Sequence, residues 1–95
     1  MKIYITAVVK LKPEYRGEMM PVLMNMVKET RKEEACIQYD LHEAMEDENI
    51  LVFYEIWNNA EGLDQHNRQP YIKQFSAMAD KGYVTETTIY KTKKI

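Results

Sequence analysis

The chain has 95 residues, a formal net charge of −2, and 45% hydrophobic against 29% charged residues. That length supports one core, read as a single domain over residues 1–95, and the balanced charge leaves no electrostatic footprint for nucleic acid. A lone cysteine excludes an intramolecular disulfide. No apolar run approaches the ~20 residues that span a membrane and no signal-peptide pattern opens the chain, so a cytoplasmic protein is expected.

Lys2 to Leu11 is rich in β-branched and aromatic residues and reads as a strand. Ile3, Ile5, Ala7, Val9 and Leu11 share one face and Tyr4, Thr6 and Val8 the other, so both faces call for cover. Pro13 breaks the strand. A helix follows from about Tyr15 or Arg16 to Lys32, with an apolar stripe of Met19, Val22, Leu23, Met26, Val27 and Thr30. Lys28, Arg31, Lys32 and Glu33 fall on its outer side, and Pro21 fits only near the helix start or at a kink.

Cys36 to His42 alternates as a half-buried strand, Glu43 to Asn49 reads as an acidic loop or hairpin connection, and Ile50 to Trp57, nearly continuous in apolar residues, as a central strand buried on both faces. Asn59 caps a short helix over Ala60–Asn67, Pro70 opens a second one to about Lys81, and Gly82 closes it. Ile72, Phe75, Met78 and Ala79 form the apolar stripe of that second helix. Tyr83 to Thr92 is the last strand, and Lys91, Lys93 and Lys94 read as solubilising charges.

The order β-α-β-β-α-β describes a ferredoxin-like α+β sandwich, a four-stranded antiparallel sheet with its helices on one face. Nothing in the chain covers the second sheet face, and a homodimer through that face is the simplest remedy.

Glu55 is the least expected residue, a carboxyl within an apolar strand on the face of Phe53 and Trp57. It reads as an acid or base of raised pKa or as a structural ion pair. His66 shares the inward side of Leu63 and is either a base near neutral pH or a satisfied helix-end histidine. His42 reads as solvated, and Cys36 as a small buried residue rather than a nucleophile. No phosphate-cradling glycine motif precedes a helix, the two His and one Cys make no metal set, and the only serine, Ser76, lies within a helix.

Glu34-Ala35-Cys36 with Tyr39, Phe53 to Trp57, and Gly62-Leu63 through His66 to Pro70-Tyr71 resemble the antibiotic biosynthesis monooxygenase family, in particular its quinol-monooxygenase-like branch. The family pattern is E-x-G-C-x-x-Y, then F-x-x-x-E-x-W, then A-L-x-x-H-x-x-x-P-H. The resemblance implies a dimeric α+β barrel and a cofactor-independent monooxygenase that oxidises a quinol or polyphenol with O₂, using neither metal nor flavin. It implies that Trp57 lines a cavity with His66 as a polar group at its mouth. With the residues read above, Phe53, Leu63 and Phe75 are expected to join the lining, His66, paired with Glu55, to move the proton, and Tyr71 to donate to the substrate anion. An isomerase or epimerase of a small carbonyl compound, or a non-catalytic binding dimer, are the alternatives. Three residue types depart from the pattern: Ala35 replaces Gly, Gly62 replaces Ala, and Tyr71 replaces the second His; in spacing, the pattern's Phe falls on Leu51 and its first Glu on Glu33, two residues and one residue from Phe53 and Glu34. Haem-degrading relatives use an Asn and a His where this chain has Thr6 or Ala7 and Ser76, so haem degradation is not expected.

Overall fold

Alternation in the first strand creates the two-sided surface on which everything else is built. In the computed structural model, which describes residues 1–95, β1 (Ile3–Leu11) buries Ile5, Ala7, Val9 and Leu11 and leaves Tyr4, Thr6 and Val8 half-exposed. A single 3₁₀ turn, Pro13–Tyr15, leads into α1 (Arg16–Thr30), which buries the stripe its spacing predicts. Pro21 lies inside this helix, on its exposed side.

β2 (Cys36–Ala44) and β3 (Asp47–Trp57) form an antiparallel hairpin closed by Met45 and Glu46 alone. The acidic stretch is therefore mostly strand, not loop. Its carboxylates stay in water at the hairpin tip, where Arg16 pairs with Glu43 and donates to the Glu48 carbonyl at 3.1 Å.

α2 (Ala60–Asn67) starts where Asn59 accepts the Gly62 N–H on its side chain at 2.7 Å. α3 (Pro70–Asp80) follows with proline in its first turn. Gly82 then takes φ +89°, a left-handed conformation that suits glycine, and turns the chain into β4 (Val84–Thr92).

The sheet order is β2-β3-β1-β4, antiparallel throughout. The core lies between one sheet face and the helices, where Trp57, Met19, Leu23, Leu51 and Val9 are sealed from solvent. This is the ferredoxin-like α+β fold. On the edge strand β4, Ile89 and Tyr90 remain 62% and 58% exposed. On the far face Tyr4, Val8, Val52, Tyr54 and Ile56 are half-exposed. No helix is long and apolar enough to cross a membrane.

Candidate functional site

Strand register builds the floor of the site. Tyr39 of β2 pairs with Glu55 of β3, Glu55 with Ile5 of β1, and Ile5 with Lys91 of β4. Cross-strand partners point to the same face, so these four side chains form one row under the helices. The adjoining row is Leu41, Phe53, Ala7 and Ile89. Met26 of α1, Leu63 and His66 of α2, and Ile72 and Phe75 of α3 complete a cavity of about 270 Å³. An apolar cavity of ~150 Å³ accepts a benzene ring, so this one has room for a substituted ring.

Glu55 is 6% exposed, and its Oε1 accepts the indole N–H of Trp57 at 2.8 Å. Burial pushes its pKa up to about 7; the Glu33 charge adds to the rise and the indole bond opposes it. The carboxyl can thus hold or release a proton at neutral pH.

His66 is 4% exposed and packs against two aromatic rings, with its centroid 4.5 Å from Trp57 and 5.5 Å from Tyr39. Its Nδ1 meets Oε2 of Glu33 at 2.9 Å, and Nε2 has no hydrogen-bond partner in the chain. Burial holds its pKa below the ordinary histidine value, while Glu33 works in the opposite direction. Tyr39, buried and facing the cavity, has its hydroxyl pKa raised by burial and then by Glu55.

Five of the seven residues expected at the site do line the cavity: Phe53, Glu55, Leu63, His66 and Phe75. Trp57 does not line it. It is fully buried, serving Glu55 and His66 from behind. Tyr71 does not reach the cavity either; its hydroxyl donates to Oε2 of Glu33 at 2.5 Å, and the residue borders a separate polar hollow with Asn25, Glu29 and Gln74. Glu55 and His66 are not bonded to each other, because each has another partner.

Glu33 was expected on the outer side of the first helix. That helix ends at Thr30, and the turn that follows carries Glu33 inward, leaving its side chain 14% exposed. Lys91, read as a solubilising charge, instead borders the cavity as its only lysine or arginine. Alternation in β4 could have shown this, since Lys91 shares a face with Thr87 and Ile89. Cys36 is half-buried, and burial followed by Glu33 and Glu55 pushes its thiol up to about 11, which keeps it protonated and a poor nucleophile. No three His, Cys, Asp or Glu side chains converge as a metal set.

The ferredoxin-like sandwich thus holds a small, largely apolar cavity bordered by one imidazole and one near-neutral carboxyl. Residues 2–78 match the family described as antibiotic biosynthesis monooxygenase, and the chain belongs to that family. It is 35% identical over 75 residues, 79% of each chain, to a Bacillus subtilis protein named "Putative monooxygenase YcnE". It is 30% identical over 73 residues, 77% of this chain, to protein sll1783 of Synechocystis, and spans half of that relative's length. The crystal structure of a conserved protein from Methanosarcina mazei superposes with a TM-score of 0.88 at 32% identity, covering 100% of this chain and 94% of that one.

Proposed function

We propose that this chain is a monooxygenase that oxidises a small quinol or polyphenol with O₂ in the cavity beneath α2 and α3. The observation that carries this reading is His66. It faces a largely apolar cavity, is fixed through one ring nitrogen to Glu33, and keeps the other nitrogen unbonded. An unbonded imidazole nitrogen accepts a phenolic proton, and the apolar walls raise the energy of the resulting anion unless charge leaves it. Family membership and the similarity to YcnE support the reaction class.

In this reading the substrate supplies the electrons. Loss of the hydroxyl proton to His66 gives an electron-rich phenolate, which reduces O₂; one oxygen atom bonds to a ring carbon and the other leaves as water. A quinol and O₂ then give a hydroxyquinone and water, with atoms and electrons balanced. Lys91 stands at the rim where it favours the anion, and Glu55, titrating near 7, returns a proton to the departing oxygen. The half-exposed apolar face of Tyr4, Val8, Val52, Tyr54 and Ile56 fits a second copy of the chain, the homodimer expected from the sequence.

Oxygen uptake with a hydroquinone panel in chelator-treated buffer tests the reading. Uptake is expected with at least one quinol, falling at least about tenfold in His66→Ala, and by about 100-fold or more where the imidazole contributes what general bases typically do. No uptake across the panel sinks it. A second reading has an observation of its own: Glu55 and His66 both border the cavity as separate acid–base groups, the arrangement an isomerase of a small carbonyl compound needs. Product of unchanged mass without oxygen consumption selects that alternative.

A further inference from the structure

His66 and Tyr71 lie on different helices and border different hollows, yet both end on the same atom. Oε2 of Glu33 takes the Tyr71 hydroxyl at 2.5 Å and stands 2.9 Å from Nδ1 of His66. His66 borders the inner cavity, whereas Tyr71 borders the polar hollow beyond α3. A neutral imidazole carries its proton on one nitrogen only, and its partners decide which. An oxygen already receiving a hydroxyl proton has lone-pair density left for a second donor, so Nδ1 is the nitrogen that keeps the hydrogen.

We propose that Glu33 and Tyr71 are positioning residues for His66: Glu33 holds the ring proton on Nδ1, leaving the Nε2 lone pair as the group offered to the cavity, and Tyr71 fixes the Glu33 oxygen in place from outside. The tilted rings of Trp57 and Tyr39 packed against the imidazole limit its rotation, so its partner at Nδ1 sets what Nε2 can do. This assigns Tyr71 a role that needs no contact with substrate. It also gives the Tyr-for-His departure a physical meaning. A histidine at 71 would change its donor count near neutral pH. Burial and Glu33 instead push the Tyr71 hydroxyl well above the ordinary phenol range, so it remains a donor throughout.

The inference rests on the proposed function only for what Nε2 does; where the proton sits is independent of turnover. It is tested by ¹⁵N-histidine NMR of the full chain at mildly alkaline pH, with His66 told apart from His42 by a His42→Gln variant. The wild type is expected to carry the His66 proton on Nδ1 by roughly tenfold or more over Nε2, as a charge-assisted bond requires. Glu33→Ala should move the population to Nε2–H. Tyr71→Phe, which removes only the hydroxyl, should give a mixture while leaving the fold intact. An Nε2–H signal in the wild type, or Nδ1–H persisting in a folded Glu33→Ala variant, overturns the proposal. If Glu33→Ala does not fold, an Nδ1–H population in Tyr71→Phe equal to wild type overturns the role of Tyr71, and a mixture supports it. A chain inactive toward quinols but with His66 protonated on Nδ1 refutes the reaction and leaves the positioning intact.

Discussion

A methyl group built on Gly62 would lie 2.1 Å from Cβ of Ala35, far inside any contact two carbons tolerate. Gly62 has no positive φ, so it is the missing side chain, not an unusual backbone, that the position requires. The two small-residue departures from the family pattern are therefore one exchange. The family places its methyl on the helix and its glycine before the strand, and this chain does the reverse. The crossing of α2 over the start of β2 has room for one methyl in either place.

This makes a double-mutant cycle decisive. Gly62→Ala alone is expected to destabilise the chain by about 2–3 kcal/mol despite alanine's better helix propensity, as overpacking does. Ala35→Gly alone should cost about 1 kcal/mol. The double variant should return to within about 1 kcal/mol of wild type in urea titration, and simple additivity of the two losses would refute the pairing.

Glu55 ties stability to pH with a definite sign. Between pH 4.5 and about 7 the folded chain keeps a proton on Glu55 that the unfolded chain has released. Stability from this group therefore falls as pH rises through that window, by about 3 kcal/mol in all, and is level above it. His66, whose pKa is lowered by folding, acts oppositely below its ordinary value of 6.5. Comparing Glu55→Gln with wild type cancels the histidine contribution. The advantage of the glutamine variant should grow from pH 4.5 to 7 and then stop growing, as measured by urea midpoints.

The Trp57 indole is the group that restrains Glu55. Trp57→Phe keeps an aromatic ring but removes the donor 2.8 Å from the carboxyl. The Glu55 titration, followed by carboxyl ¹³C NMR, should move above its wild-type midpoint near 7. Stability should drop by about 1–3 kcal/mol from the unpaired buried acceptor. A downward shift would contradict the assignment.

Cys36 should be inert. With its thiol near 11, reaction with a disulfide or alkylating reagent at neutral pH should be slower than in a free cysteine by about two orders of magnitude, in proportion to its thiolate. Unfolding in urea should restore the rate.

Most of the architecture was legible because local rules and global fold agree. Asn59, Pro70 and Gly82 sit at the helix boundaries their chemistry predicts, and the alternation of β1 separates its buried face from the outer one. The apolar run of β3 misled: read as buried on both faces, the strand leaves Val52, Tyr54 and Ile56 half-exposed. The hairpin misled because composition alone cannot tell a solvated strand end from a loop. Glu33 could have been read from the family pattern, since E-x-G-C counted back from Cys36 puts its Glu at 33 and not at 34, but local composition hides it. Its neighbours in sequence are charged and exposed, while its partners lie 33 and 38 residues away on two other helices. Resemblance located His66 and Trp57 but not their division of labour, since one borders the cavity and the other stands behind it.

The row of Tyr39, Glu55, Ile5 and Lys91 draws one residue from each strand, and its members are spread over almost the whole chain. A slip of any strand by one residue would turn its contribution to the opposite face and erase the floor there. The floor is complete only when all four strands are paired in this register. Detaching β4 alone would remove Lys91 and Ile89 from its two rows and open the cavity along that edge.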